Sequence, residues 1–237
     1  MNKIVLFLVE GSTDKRSIGL TLTRLLKTVK IHIIRTDLTS DKNNTVDNIE
    51  SAIFEHIGFF LAEQPQFSYD DISCVVQLTD TDGTFIDDSA IVQDNNCENF
   101  TYDDDHIRAK SIESVVERNE RKSGIIRYLS SKKEISTVLP SGNEISLPFR
   151  IYYMSCNLEH VLHDIRNNTE DEKDSLSEKF QMKSGENTHL LRDLVSNPSI
   201  FNSTSYEESW KYIQQGTNSL KRKSNFEYFF IEFVDNQ

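Results

Sequence analysis

The sequence has few cysteines, no long apolar run and a deficit of positive charge. Cys74, Cys97 and Cys156 are scattered along the chain, and their odd number and spacing suggest neither a zinc site nor a disulfide framework. Such sparse cysteine use suits a reducing compartment, so we expect a cytoplasmic protein. No window approaches the roughly 18 consecutive apolar residues of a membrane span. We therefore expect no membrane partner.

The first apolar run is too short for a secretory signal. It spans residues 4–9, leads straight into Glu10 and lacks a small-residue cleavage site, so it is better interpreted as a buried strand. The net charge of −12 argues against a protein that coats nucleic acid by bulk attraction. Residues 1–36 and 108–133 are nevertheless rich in Lys and Arg, while residues 37–105 are acidic. This unevenness is compatible with phosphate binding near a metal, or with an ordinary mixed surface.

The N-terminal third alternates apolar strand patterns with helical patterns. Strands are predicted at residues 3–9, 30–35 and 72–79, and helices at residues 13–28 and after Thr45, where apolar residues recur at helical spacing. Strand, helix, strand, helix, strand is typical of a parallel sheet with right-handed crossovers. The sequence therefore predicts an α/β fold with a central, mostly parallel sheet flanked by helices.

The remainder of the chain is less regular. We predict a long loop with one short strand, two short helices, a β-hairpin whose second arm continues to Met154, and a helix after it. The C-terminal part is predicted to be mostly helical, and its aromatic end is either a last strand or a terminal helix. In order, these predictions cover residues 83–105, 111–119, 123–131, 134–154, 157–165, 174–225 and 226–234.

Acidic residues follow two of the predicted strands. Glu10 comes directly after the first, and Asp80 and Asp82 come at the end of the third. Since the carboxyl ends of parallel strands share one edge of a sheet, these three carboxylates are expected to meet there. Clustered carboxylates commonly hold a hard divalent cation such as Mg²⁺. The alternatives are a solvated acid at a strand end for Glu10 and an Asp-Gly turn for the other two.

These motifs resemble those of the TOPRIM fold, the catalytic α/β module shared by topoisomerases, bacterial primases, small maturase-type ribonucleases and OLD-family nucleases. The family pattern is a Glu after the first strand and Asp-x-Asp after the third, matched here by Glu10, Asp80 and Asp82. The sequence Val-Glu-Gly-x-Thr-Asp at residues 9–14 is similar to the OLD and RloB-like branch, in which the later acid also binds metal. The resemblance implies that role for Asp14. The simpler interpretation is a favourable charge at a helix N-terminus.

The same branch implies two further site residues. Its members have a strand followed by a helix that carries another acid. The segment MSCNLEHVLH at residues 154–163 fits this pattern and puts Glu159 in the position of that acid, the alternative being an exposed helix residue. OLD-like members also use a late basic residue. Lys211, Lys221 and Lys223 are the candidates, and we select Lys221.

The resemblance divides the chain into a TOPRIM-like core at residues 1–165 and a mostly helical C-terminal extension at residues 166–237. Residues 84–147 exceed what a minimal core requires and are expected to form an inserted α+β segment beside the site. OLD proteins carry an ATPase domain in the same chain, which we do not find here. RloB-like proteins and some phage-defence subunits also lack it, and such subunits can work with a separately encoded ATPase.

By this resemblance the protein is expected to be an Mg²⁺- or Mn²⁺-dependent nuclease that acts as an effector in phage defence or abortive infection. The expected metal ligands are Glu10, Asp14, Asp80, Asp82 and Glu159. The expected catalytic residues are Glu10, Asp80, Asp82, Glu159 and Lys221. Nucleotidyl transfer and a non-catalytic TOPRIM-like interaction subunit with an ATPase partner are the alternatives. The choice between DNA and RNA and the formation of a homodimer stay open.

The expected cluster also makes a prediction about stability. Clustered carboxylates repel one another when no metal is bound, so removing one should not destabilise the fold. On this basis Asp82→Ala is expected to leave the thermal stability equal or higher.

Overall fold

A five-stranded sheet lies at the centre of the protein. The computed structural model describes residues 3–26 and 30–235, with only the backbone of Ser12. Across the sheet the strand order is β2-β1-β3-β8-β7. The first four strands pair in parallel, and β7 pairs antiparallel with β8. The strands are β1 Ile4–Val9, β2 Lys30–Arg35, β3 Ile72–Asp80, β7 Glu134–Val138 and β8 Glu144–Met154.

Burial explains the sequence of the central strands. All six residues of β1 are buried, as expected for an inner parallel strand that is covered by helices on both faces. Most of β3 is buried as well. The predicted mostly parallel α/β sheet flanked by helices is therefore confirmed, and so is the hairpin whose second arm runs to Met154.

Helices surround the sheet. They are α1 Ser12–Leu25, α2 Ile49–Glu63, α3 Ile112–Ser130, α4 Leu158–His163, α5 Glu170–Glu186, α6 Leu190–Val195, α7 Tyr206–Ile213 and α8 Glu227–Phe230. The end predicted for the first helix, Thr28, lies outside the described residues. Within the described part of the chain, no helix is both long enough and apolar enough to cross a membrane.

One continuous helix, α3, replaces the two short helices predicted at residues 111–131. The expected break lay between the two predicted helices, at the charged residues 120–122. In the structure the helix runs through this stretch, and Lys122 and Ser123 lie on its buried face. The prediction of two helices was wrong because three consecutive charged residues do not end a helix when one of them has buried partners.

The segment between β3 and α3 has its own small sheet. Its strands β4 Ile91–Gln93, β5 Thr101–Tyr102 and β6 Ile107–Ala109 lie in the order β4-β6-β5. A separate apolar cluster packs beneath them and includes Ile86, Val115 and Leu220. The sequence predicted only one short strand here, because two- and three-residue strands leave little periodicity to detect.

The aromatic C-terminal end forms helix α8 and a following π-helical turn, Ile231–Asp235. Its phenylalanines belong to the same core as the central sheet. The ring of Phe229, for example, lies 5.0 Å from that of Phe7 on β1. Of the two alternatives for this segment, the helix is the one observed. The proposed domain boundary near residue 165 stays a prediction.

Candidate functional site

A cavity of about 760 Å³ opens at the carboxyl edge of the central sheet. The ends of β1 and β3, the start of α1, the small sheet and the connection from α4 to α5 surround it. All five predicted metal ligands line this cavity, namely Glu10, Asp14, Asp80, Asp82 and Glu159. The structure thus brings the five predicted acids to one cavity, but they fall into two groups with different surroundings.

Glu10 is the centre of a hydrogen-bond network. Its Oε1 atom accepts from the hydroxyls of Thr39 and Thr79, the latter at 2.5 Å. Its Oε2 atom accepts from Ser40 at 3.3 Å and from Nζ of Lys122 at 3.1 Å. Four protein donors therefore occupy both carboxylate oxygens.

Pairing of β1 with β2 positions the turn that carries two of these donors, Thr39 and Ser40. The backbone amide of Thr36 donates to the carbonyl of Val9 at 2.7 Å, which continues the pairing of β1 and β2 past the end of the strand. Residues 38–40 are thereby positioned beside Glu10. The sequence gave no sign of this role, because Thr39 and Ser40 lie in a polar stretch with no recognisable motif.

Asp82 is the second partner of Lys122. The Oδ2 atom of Asp82 lies 2.6 Å from Nζ of Lys122 and 3.8 Å from Nη1 of Arg118, and its Oδ1 atom accepts from the Tyr102 hydroxyl at 3.5 Å. Burial alone would raise the pKa of Asp82, but the positive charges of Lys122 and Arg118 lower it below its ordinary value. Burial opposes the charge on Lys122, yet Asp82 and Glu10 raise its pKa.

Lys122 was not predicted as a site residue. Its side chain is 0% exposed, and helix α3 brings it to the acids at the ends of β1 and β3. A signal did exist in the sequence, since Lys122 falls within the helical apolar periodicity of residues 111–131. A lysine on an apolar helix face is buried only when it has a partner, and the nearest acids in the chain do not reveal which partner that is.

The backbone around Asp82 adopts left-handed conformations. Asp82 has a φ of 48°, Gly83 of 65° and Cys156 of 60°. The amide of Asp82 donates to the carbonyl of Cys156 at 2.8 Å, and the amide of Cys156 donates to the Thr81 hydroxyl at 2.8 Å. These bonds join the ends of β3 and β8. A Cβ atom on Gly83 would lie 2.5 Å from Leu220 Cδ2, so only glycine fits the turn after Asp82.

Asp14 begins the second group of acids. It lies in the first turn of α1, where its Oδ2 atom accepts from the Gly11 amide at 2.8 Å. Burial raises its pKa from 3.8 to about 7, and the charges of Glu159 and Glu10 act in the same direction. A Cβ atom on Gly11 would lie 3.1 Å from this carboxylate. Asp14 therefore lies at the helix N-terminus, as the simpler interpretation has it, and also lines the cavity; its role as a metal ligand stays a prediction.

Asp80 has no direct partner. Within the described part of the chain its carboxylate makes no hydrogen bond and no ion pair. Burial raises the pKa of Asp80 well above its ordinary value. Repulsion by four other carboxylates raises it further, namely those of Asp14, Asp82, Glu10 and Glu159. Asp80 is thus the acid that the surrounding protein stabilises least in its charged form.

Glu159 is 6% exposed and so is not the exposed helix acid of the simpler interpretation. Asn157, two residues before Glu159, caps helix α4 by accepting a hydrogen bond from the His160 amide at 2.8 Å. In this helix Glu159 lines the cavity. Burial raises the pKa of Glu159. The charge of Lys173 and a hydrogen bond from Thr13 lower this pKa, but by less than burial raises it.

Asp37 is a further acid that lines the cavity, and the sequence analysis missed it. Desolvation and the negative charge of Glu10 raise its pKa. It could have been found by applying to β2 the rule that was applied to β1 and β3, because it follows the end of that strand at the same edge.

The basic residues at the site differ from the prediction. Lys221 is exposed and is not among the cavity-lining residues, so its position does not support the role selected for it. The side chain of Lys211 pairs with Glu208, and that of Lys223 donates to the Ser199 carbonyl. The two basic residues that do line the cavity are Lys173 and Arg166.

A two-way hydrogen bond closes one wall of the cavity. The Tyr102 amide donates to Oδ1 of Asn167 at 2.8 Å, and Nδ2 of Asn167 donates to the Tyr102 carbonyl at 2.9 Å. An ion pair between Arg166 and Asp104 reinforces this junction. The small sheet that contains β5 is therefore joined to the connection between α4 and α5, directly beside the acids.

Only the side of the cavity that contains Asp14, Asp80 and Glu159 offers carboxylate oxygens suited to a hard divalent cation. Carboxylate oxygens are the ligands that Mg²⁺ and Mn²⁺ prefer, and the unpartnered Asp80 lies with Asp14 and Glu159. Glu10 and Asp82 already share the Lys122 ammonium. As the side chains stand, the described residues contain no group of three His, Cys, Asp or Glu that could hold a metal ion.

Comparisons of the chain with protein-family models, with curated proteins and with solved structures found no match.

Proposed function

We propose that the protein is an Mg²⁺- or Mn²⁺-dependent nuclease of the TOPRIM type that hydrolyses phosphodiester bonds in DNA or RNA. The observation that supports this most is the unpartnered Asp80 carboxylate, which lies in an open cavity among Glu10, Asp14, Asp82 and Glu159. A partly buried carboxylate without a partner is costly to the fold. Proteins retain such arrangements mainly where the group has a chemical task.

Asp14, Asp80 and Glu159 would hold the cation in this function. A divalent ion offsets the charge of a phosphodiester, activates water and stabilises the leaving oxygen. The protein itself would orient the substrate, because Lys173 and Arg166 line the same cavity and can bind phosphate oxygens through charge-assisted hydrogen bonds. Glu10 would act through the network that positions the end of β1.

The biological setting rests on the resemblance alone. The OLD and RloB-like branch suggests an effector in phage defence or abortive infection, in the cytoplasm, with a separately encoded ATPase as partner. Nucleic acid is the proposed substrate. A homodimer is compatible with this proposal but is not required by it.

The decisive experiment is a nuclease assay on plasmid, single-stranded DNA and total tRNA, with Mn²⁺ and with EDTA. Cleavage of at least one substrate is expected only with Mn²⁺. Asp80→Asn should abolish it, whereas Asp88→Asn, which changes an exposed acid outside the cavity, should not. If the purified Asp80→Asn protein cleaves as fast as the wild type, the activity does not come from this cavity.

One observation favours the non-catalytic alternative, in which the protein is an interaction subunit that works with an ATPase. Lys122 already pairs with both Glu10 and Asp82, so this part of the acidic cluster has a positive partner without a metal. An interaction subunit would show no cleavage under any divalent ion, and Asp80→Asn would leave its binding to a partner unchanged.

A further inference from the structure

We propose that Lys122 serves as the fixed cation of the Glu10–Asp82 half of the site, so that the cavity takes one divalent ion per chain instead of two. This inference rests on the proposed function and specifies it. Sequence resemblance assigned five acids to metal binding, enough for two ions. In the structure Glu10 and Asp82 pair with the Lys122 ammonium, while Asp14, Asp80 and Glu159 form the other half of the site.

The position of Lys122 is that of a bound cation. Its Nζ atom lies 3.1 Å from Oε2 of Glu10, 3.2 Å from Oγ of Ser40 and 2.6 Å from Oδ2 of Asp82. An ammonium has three donors, and these three acceptors satisfy all of them. Because the side chain is 0% exposed, no water competes for these bonds.

Helix α3 holds Lys122 in place from several directions. Val115, Ile125 and Leu129 of this helix are completely buried. One turn before Lys122, Arg118 lies over the Phe100 ring, with its guanidinium carbon 5.2 Å from the ring centroid. Arg121, which directly precedes Lys122, donates a hydrogen bond to the Ser40 carbonyl at 3.2 Å. For Lys122 to leave the acids, either the whole helix would have to shift or the ammonium would have to be buried elsewhere without a partner.

A divalent ion on Glu10 would also have to displace existing bonds. Both oxygens of this carboxylate are occupied by donors from the protein. An ion placed between Glu10 and Asp82 would lie within a few ångströms of a buried ammonium, and the two positive charges would repel strongly in this desolvated place. This half of the site therefore accepts the lysine and excludes a metal.

The other half lacks any comparable cation. Among the residues that the structure describes, the Asp80 carboxylate has no hydrogen-bond or ion-pair partner, and Asp14 uses one oxygen for the Gly11 amide. The Lys173 side chain, which also lines the cavity, is 31% exposed and pairs with Glu170 at 2.9 Å, so it acts on Asp14 and Glu159 only through its charge. The remaining negative charge on Asp14, Asp80 and Glu159 is sufficient for one divalent ion.

The test counts Mn²⁺ ions bound to the full chain. Equilibrium dialysis with increasing Mn²⁺ should reach one ion per chain, and electron paramagnetic resonance should show an isolated, uncoupled Mn²⁺. Two ions per chain, or the spectrum of a spin-coupled pair, would overturn the inference and leave the proposed function intact. Absence of any bound Mn²⁺ would instead overturn the proposed function itself and the inference with it.

Substitution of the lysine provides a second measurement. Lys122→Met keeps the length of the side chain and removes its charge, so the folded protein should bind two ions per chain. Lys122→Arg retains a positive charge and should bind one, as should Lys173→Met, which alters the exposed lysine at the same cavity. A folded Lys122→Met protein that still binds a single ion would show that Lys122 does not occupy a cation position. If this variant fails to fold, the wild-type count decides the matter.

Discussion

The Nζ atom of Lys122 lies 2.6 Å from Oδ2 of Asp82, although 40 residues separate them along the chain. This contact divides the acidic cavity. Asp82 and Glu10 pair directly with Lys122, while Asp80 and Asp14 form no ion pair among the described residues and have raised pKa values. Acids that look equivalent in the sequence therefore respond differently to mutation, to metals and to pH.

Loss of the buried ammonium should destabilise the protein strongly. Lys122→Met leaves Glu10 and Asp82 without their shared cation, and breaking a buried ion pair by removing one partner costs about 3–5 kcal/mol. Urea unfolding in EDTA measures this loss. Lys173→Met is the matched control and should cost less than about 1 kcal/mol, as is typical of exposed pairs. Equal stability of the two variants would mean that the buried pair contributes little.

Asparagine at positions 80 and 82 should change stability in opposite directions. Asp80→Asn removes a carboxylate that is repelled by four others, so the free energy of unfolding in EDTA should rise by about 1 kcal/mol or more. Asp82→Asn removes a carboxylate that is bonded to Lys122, so the free energy of unfolding should fall by about 2 kcal/mol.

This contrast corrects the expectation from sequence that removal of Asp82 is harmless. Asp82→Ala should destabilise more than Asp82→Asn, because Asp82 has a φ of 48° and asparagine tolerates that conformation better than alanine does. Chemical denaturation of all three proteins in EDTA tests this order. Stabilisation by both asparagine variants would restore the original picture of five uniformly repelling acids.

Divalent ions should stabilise the protein beyond their effect on ionic strength. A ligand that binds only the folded state stabilises it by about 2.7 kcal/mol at 100 times its dissociation constant, so MgCl₂ or MnCl₂ should raise the melting temperature. NaCl at matched ionic strength should do much less, because screening acts weakly on close charges. Asp80→Asn should reduce the divalent-specific gain and Asp88→Asn should preserve it. Equal shifts from MgCl₂ and NaCl would argue for the non-catalytic alternative.

The metal-free protein should lose stability as the pH rises towards neutrality. Burial raises the pKa of Asp14 from 3.8 to about 7, so in that window the folded state binds more protons than the unfolded state. The free energy of unfolding therefore falls between about pH 4 and pH 7. The raised pKa values of Asp80 and Glu159 act in the same direction.

Melting temperatures in EDTA from about pH 5 to about pH 7.5 measure this dependence. Asp14→Asn should flatten the curve, while Asp88→Asn should keep the wild-type slope. A melting temperature that rises through this range would show that the carboxylates are not under repulsive strain.

The sequence predicted the part of the site that depends on strand ends. Glu10, Asp80 and Asp82 could be placed together because each follows an apolar run, and parallel strands end at one edge. Glu159 could be placed only by resemblance, since a single acid on a six-residue helix has no periodic signal. Asp37 was overlooked, although it follows β2 by the same rule.

The partners of these acids could not be predicted from the sequence. Lys122 reaches Glu10 across 112 residues, and no local pattern encodes such a distant pairing. The polar residues that surround it made the sequence of α3 resemble two helices with a break. The buried lysine and its charged neighbours thus obscured the helix that carries them, as happens where a long-range contact overrides local preference.

The distance along the chain between the acids and their lysine also sets an order of events during synthesis. Domains fold as the chain emerges N-terminus first. Glu10 and Asp82 are made long before α3 can deliver Lys122, and strand β8, which lies between β3 and β7 in the sheet, follows later still. The cavity therefore cannot assemble on a nascent chain that has not yet reached Glu159.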